Sequence, residues 1–224
     1  MSGASHPRTA AVLLAGGSGT RVGGELNKVL LPLAGDPVLL WSLRTVRRLP
    51  YVVKVVVVTR PDDRALVAPL LDGEELVEGG AERHDSEWNA LQALAASIDA
   101  GEIDVVAIHD AARPLATADL WDRIVDAAVV HGGAIPAHPL TALMTSDGSR
   151  VDEVVGVQTP QAFRASDLLA AHRAAARDGF RGTDTAACLE RYGSVEIAGV
   201  AAPATNLKIT FPEDVALAER LLPS

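Results

Sequence analysis

The chain has a single cysteine, few aromatic residues and no basic excess. One cysteine in 224 residues, Cys188, leaves no internal disulfide and points to a reducing compartment. A formal net charge of -9 at pH 7 argues against a nucleic-acid-binding face, which carries clustered cations. No run approaches the roughly 18 apolar residues of a membrane-spanning helix. The apolar run within "MSGASHPRTAAVLLAGG" is too short for a signal-peptide core, and glycine ends it. The expectation is a cytoplasmic protein with neither a nucleic-acid nor a membrane partner. Two common phosphate loops are missing as well. No Gly-Lys-Ser/Thr exists for a Walker loop, and Val22 stands where the third glycine of a dinucleotide fingerprint belongs. No internal repeat, low-complexity tract or linker interrupts the chain.

What the chain does contain is Ala, Val and Leu in alternating kinds of pattern. "VVKVVVVT" (52–59) and "DVVAIHD" (104–110) read as buried strands, as does the run from Ala10 to Ala15. Helical spacing recurs over 83–98, 117–131, 165–178, 183–191 and 212–222, with Thr117 as an N-cap. Strands alternating with helices predict an α/β fold: a single Rossmann-like domain over 9–224, its mostly parallel sheet flanked by helices. Residues 1–8 read as a loose tail. The turn signal Asp147-Gly148-Ser149 between two weakly patterned segments makes 139–156 a short projecting arm. Cys188, between Ala187 and Leu189, reads as a buried small hydrophobe within a helix.

The stretch "LLAGGSGTRVGGELNKVLLPLAG" (13–35) runs from a strand into glycines, so backbone N–H groups can turn toward an anion. An ordinary glycine-rich turn is the competing reading. In an open α/β sheet, ligands gather beyond the carboxyl ends of the strands. The glycine loop and Asp110 therefore share one rim, giving backbone donors for phosphate beside a carboxylate able to hold Mg²⁺. The alternative for Asp110 is a helix cap or a partner for Arg113. His109 reads as structural.

These residues carry a resemblance. The chain resembles the nucleotidyltransferases of the glycosyltransferase-A-like fold, and most closely the 2-C-methyl-D-erythritol 4-phosphate cytidylyltransferase family. The blocks "LLAGGSGTR" with Lys28, "GGAERHDS" (79–86), "HDAARP" (109–114), "QTPQAF" (158–163), Thr183-Asp184 and "NLKITFPEDVALAERLL" (206–222) occur in the family's order. The resemblance implies a Mg²⁺-dependent enzyme that joins CTP to a polyol phosphate and releases pyrophosphate, in isoprenoid precursor synthesis by the non-mevalonate route. It implies Arg21, Lys28, Lys208 and Asp110 as catalytic residues, with Asp110 also the metal ligand. It implies Ala15, Gly16, Gly17, Ser18, Gly19, Gly80 and Ser86 on the nucleotide, and Arg113, Arg150, Thr159 and Thr183 on the acceptor. A homodimer through the arm is implied too.

The departures lie mostly on the acceptor side. The family's Asp-Thr-x-Lys after the proline matching Pro139 is replaced by Ala142, Leu143 and Thr145. Its arginine near 151 is Val151, with Arg150 one place out of register. Thr185 replaces an acid, and Asn27 stands where the family has proline before its lysine. Three readings stay open: the family's own reaction, a pyrimidine nucleotidyltransferase for another polyol phosphate such as ribitol 5-phosphate, and a non-catalytic nucleotide-binding relative.

Overall fold

The six residues Thr9–Leu14 form β1, buried on both faces from Thr9 to Leu13, as the apolar run after Thr9 requires inside a covered sheet. The structure, a computed structural model, describes residues 7–16, 27–140, 146–147, 154–182 and 184–222. After β1 come β2 (Pro32–Leu33), β3 (Asp36–Pro37), α1 (Val38–Arg47) and β4 (Val52–Thr59). A short α2 (Arg64–Val67) leads to β5 (Glu75–Glu78), α3 (Arg83–Asp99), β6 (Val105–Asp110) and α4 (Ala118–His131). Then follow β7 (Gly132–Pro139), β8 (Val155–Val157), β9 (Gln161–Arg164), α5 (Ala165–Asp178), α6 (Thr185–Tyr192), β10 (Glu196–Ala201) and α7 (Glu213–Leu221).

The main sheet runs β10-β7-β9-β6-β1-β4-β5, with β8 paired to β7. The pairs β1–β4, β1–β6, β4–β5 and β7–β10 are parallel, while β9 runs antiparallel to both of its neighbours. The expected parallel sheet is thus present with an antiparallel strand set into it. From β1 the chain moves to β4 and β5 on one side, then returns to β6 on the other. The gap above β1 and β6 is therefore the switch point at which such sheets take ligands.

Alternate residues of β1 feed two cores. Ala11 and Leu13 pack with α1 and α4 around Trp121, while Ala10 and Val12 pack with α3, α5 and α6 around Phe163. A third small cluster joins Leu33 and Val38 to Ile209 and Ala218, which seats α7 against β2 and β3. The helices at 83, 117, 165 and 212 begin within a residue or two of their expected places. Thr117 accepts a bond from the Leu120 amide at 3.3 Å, the capping expected of it. Helix α1 and strands β5, β7, β9 and β10 went unread in the sequence.

Two expectations need correction or restriction. Arg8 is not part of a loose tail: its backbone and guanidinium bind the Asp104 carboxylate at 2.8–3.0 Å, tying the start of β1 to that of β6. In the arm, the ends of β7 and β8 pair antiparallel from Ala137–Val157 to Pro139–Val155, as a hairpin base would. The rest of the arm, with Ala142, Leu143, Thr145, Arg150 and Val151, lies outside the described residues. Among the described residues no helix is long and apolar enough to cross a membrane.

Candidate active site

Asp110 is the last residue of β6 and stands beside Leu14, the last of β1. Its backbone amide donates to the Thr159 hydroxyl at 2.9 Å. One carboxylate oxygen accepts from the Arg83 guanidinium, the other from Lys208 Nζ at 2.5 Å. Burial by itself would raise this carboxyl, but the charges of Arg83 and then Lys208 outweigh it and hold Asp110 well below the ordinary carboxylate range. The alternative partner, Arg113, turns away and donates to the Asn206 carbonyl at 2.7 Å.

Around this carboxylate opens a cleft of about 410 Å³, lined among others by Gly16, Lys28, Gly80, Glu82, Ser86 and Lys208. Lys28, Arg83 and Lys208 thus face it in a chain whose net charge is -9. Concentrating cations in one concave place while the whole is acidic is the electrostatic signature of an anion site.

Each wall has a local cause. Lys28 opens a 3₁₀ turn capped by Asn27, whose oxygen accepts from the Val29 amide at 3.3 Å. The Asn27 amide nitrogen reaches the Ala15 carbonyl at 2.7 Å and Asp63 at 2.8 Å, so the residue in the proline position staples the lysine to the end of β1. On the far wall, Gly80 is required. A Cβ there would lie 2.2 Å from Asp85 Cβ, inside the capping box that starts α3. Ser86 Oγ accepts from the Gly80 amide at 3.1 Å and fixes that close approach.

Arg83 is the functional residue that the sequence reading missed. It sits inside "GGAERHDS", a block from which only Gly80 and Ser86 were assigned a role, and it is the first residue of α3. Its Nε binds Glu87 one turn later at 2.8 Å, and its Nη2 is a buried donor with no partner among the described residues. Asp110 and Glu87 raise its already high pKa against the desolvation that lowers it. Glu87 also accepts from the Thr185 hydroxyl at 2.7 Å. Where the resemblance expects an acid at 185, a carboxylate is present after all, delivered from α3.

Of the expected site residues, Lys28, Asp110, Lys208, Gly16, Gly80 and Ser86 come together at the cleft. Three occupy other places. Ala15 is fully buried, its amide bound to the Val58 carbonyl and its own carbonyl to Asn27, so it has no backbone group left for a nucleotide. Thr159 is buried behind Asp110. Because its oxygen accepts from the Asp110 amide, its hydroxyl proton goes to His109 Nδ1 at 3.0 Å, and both bonds are spent on holding the end of β6. Arg113 lies behind the same strand end, where burial lowers its pKa. Arg21, Gly17, Ser18, Gly19, Arg150 and Thr183 lie outside the described residues.

His109 is structural, as expected. It is buried against Trp121, and both ring nitrogens are engaged, Nε2 with the Arg113 carbonyl at 3.2 Å. Burial pushes it down to about 4. Cys188 is buried in α6, where burial and then Glu87 push its thiol up to about 11. It is no nucleophile.

A switch-point cleft that gathers cations about one buried carboxylate, beside a glycine-bearing strand end, is the anion site of an α/β protein. The family model described as IspD, 2-C-methyl-D-erythritol 4-phosphate cytidylyltransferase, matches residues 9–224. The chain belongs to that family. It is 44% identical to a 2-C-methyl-D-erythritol 4-phosphate cytidylyltransferase of Cereibacter sphaeroides, over 96% of each chain. It is 40% identical to one of Symbiobacterium thermophilum, over 94% of this chain and 91% of the relative. Among solved structures, the Thermus thermophilus enzyme of that name superposes with a TM-score of 0.74 at 30% identity, covering 94% of this chain and 96% of the other. The 4-diphosphocytidyl-2C-methyl-D-erythritol synthase of Anaerococcus prevotii gives 0.81 at 25% identity, covering 97% and 99%.

Proposed function

We propose that the chain joins CTP to 2-C-methyl-D-erythritol 4-phosphate, forming the CDP-polyol and pyrophosphate in the non-mevalonate route to isoprenoid precursors. The observation that carries this reading is the convergence of Lys28, Arg83 and Lys208 on the cleft at Asp110. An oxygen of the acceptor phosphate attacks the α-phosphorus in line, and the bond to the bridging oxygen breaks as pyrophosphate leaves with its electrons. The protein supplies no covalent intermediate. Its contribution is to hold the two phosphates in line and to neutralise charge that grows on their oxygens.

Lys28 and Lys208 stand where they can bind triphosphate oxygens, and the unpartnered Nη2 of Arg83 offers a third donor. Gly16 and Gly80 leave room for close approach of phosphate and nucleoside. Arg21, Gly17, Ser18 and Gly19 would complete the phosphate loop, and Arg150 and Thr183 the acceptor side, by the resemblance. A carboxylate kept charged and buried at the rim fits a hard divalent cation, which takes one or two such groups plus phosphate and water. Asp110 would hold Mg²⁺, which would polarise the α-phosphate; the half-exposed Lys208 is the partner that can yield an oxygen to it. A homodimer through the arm is supported by Leu140, Val155 and Val157, apolar side chains standing exposed on β8 and the residue after β7.

The test is pyrophosphate release with CTP against methylerythritol phosphate, ribitol 5-phosphate and other polyol phosphates. We expect methylerythritol phosphate to give the highest kcat/KM. A higher value for another acceptor would move the substrate, and no release with any would leave a nucleotide-binding protein.

A further inference from the structure

On the side of α3 away from the cleft, three metal-ligating side chains meet in the core. His84 from α3, His172 from α5 and Cys188 from α6 place one ligand atom each within 4.8 Å of one another, and all three are buried. One edge of the cluster already has the length a metal needs. Around zinc, bonds of about 2.3 Å to sulfur and about 2.0 Å to nitrogen set tetrahedral S–N edges of about 3.5 Å. Cys188 Sγ is 3.6 Å from His84 Nδ1. The rings of His84 and His172 are nearly parallel, 8° apart, with centroids separated by 5.1 Å.

Among the described residues, two polar atoms in this cluster have no hydrogen-bond partner although both are buried: His172 Nε2 and Glu87 Oε2, 3.7 Å apart. The His172 Nδ1 nitrogen faces the Leu168 carbonyl at 3.1 Å. A carbonyl only accepts, so Nδ1 carries the proton and the neutral ring keeps its lone pair on Nε2. That arrangement, one ring nitrogen donating to a carbonyl and the other bare, is the usual one for a metal-bound histidine. The other oxygen of Glu87 is already taken by Arg83 and Thr185. A bare lone pair and a bare carboxylate oxygen therefore meet beside a thiol and a second imidazole.

We propose that His84, His172 and Cys188 form a buried zinc site, with Glu87 Oε2 beside His172 as the adjoining anionic oxygen. Two imidazoles and a sulfur favour zinc over magnesium. On binding, the Cys188 thiol gives its proton to solvent and the thiolate ligates Zn²⁺, so no oxidant or reductant is needed. This site is distinct from Asp110, which would take a hard cation, though Glu87 and Arg83 connect the two.

The test uses the full chain, dialysed against chelator and titrated with Zn²⁺ and, separately, Co²⁺. We expect one equivalent of zinc per chain to remain after gel filtration, with a raised melting temperature. We expect Co²⁺ to give tetrahedral d–d bands and a thiolate-to-cobalt charge-transfer band. The chain has one cysteine, so that band can come from nowhere but Cys188 and diagnoses the site in the unaltered protein. Cys188→Ser should lose the charge-transfer band, and His172→Gln should weaken zinc binding at least tenfold. No retained zinc, or bound cobalt without a thiolate band, would overturn the proposal. The outcome is read without turnover, so it stands or falls apart from the transferase reading.

Discussion

Two buried polar clusters lie on either side of Arg83, and they are finished to different degrees. At the cleft, the buried Asp110 carboxylate has Arg83 on one oxygen and Lys208 on the other. The histidine behind it has both nitrogens engaged. Around His172 and Cys188, by contrast, two buried polar atoms face one another unpaired. A carboxylate already paired on both oxygens holds its cations at the cleft before any phosphate arrives, so much of the cost of fixing their dipoles was met on folding. A cluster with bare acceptors stays costly until something cationic fills it.

Breaking the finished cluster should give the largest effect. Asp110→Asn keeps the shape but leaves Arg83 and Lys208 without their anion, and we expect kcat/KM for pyrophosphate release to fall by about 10³ or more, beyond the usual scale for one electrostatic group. Circular dichroism should show the fold retained. Near-normal Mg²⁺-dependent turnover would remove Asp110 from the chemistry.

Next is acid. His109 in the folded protein sits at about 4, against 6.5 for an unburied histidine, so the unfolded chain takes up a proton first. Its contribution to stability is complete above pH 6.5 and is lost as pH falls from 6.5 through 4, approaching about 3 kcal/mol. Urea unfolding of wild type and His109→Gln over that range separates this from the carboxylates, which titrate in both. A difference between the two that does not change with pH would mean that His109 is not held neutral.

The smallest effect tests the bridge between the clusters. Glu87→Gln can keep contacts to Arg83 and Thr185 but removes the charge one turn below Arg83. A hydrogen bond to a charged group is worth about 1.5–3 kcal/mol, and part of it survives, so we expect roughly a tenfold drop in kcat/KM. An unchanged rate would show that Asp110 alone orients Arg83.

What was legible in the sequence follows from the same physics. Long runs such as 52–59, and helices with a clear face such as 117–131, declare themselves because their whole pattern is local. Helix α1 did not. It starts after Pro37 with no side-chain cap, and its first turn is apolar all round. Strands β7 and β9 hold glycine, proline or few residues, and are strands only because neighbours pair with them. The cleft was read through Lys28, Asp110 and Lys208, whose types announce phosphate chemistry. Arg83 escaped because its meaning depends on Asp110, 27 residues away. That the Ala15 amide and the Thr159 hydroxyl are already engaged within the protein was hidden for a related reason: whether such a group is still free is decided by partners distant in the chain, Val58 for one and His109 for the other.

Helix α4 ends at His131 and β7 begins at Gly132, a left-handed residue with φ of 98° that closes the helix and opens the strand at once. Gly133 then passes so near Phe163 that a Cβ would lie 2.9 Å from the ring. This crossover has no slack. Most joints in an α/β protein can absorb an extra residue as a bulge of loop. Here one inserted residue must either turn the last part of α4 by about 100° or exchange the two faces of β7. Length drift in homologous sequences should therefore be tolerated at the arm beyond β7 and refused at the 131–132 joint. The frame that carries the cleft is thus geared at one end and open at the other.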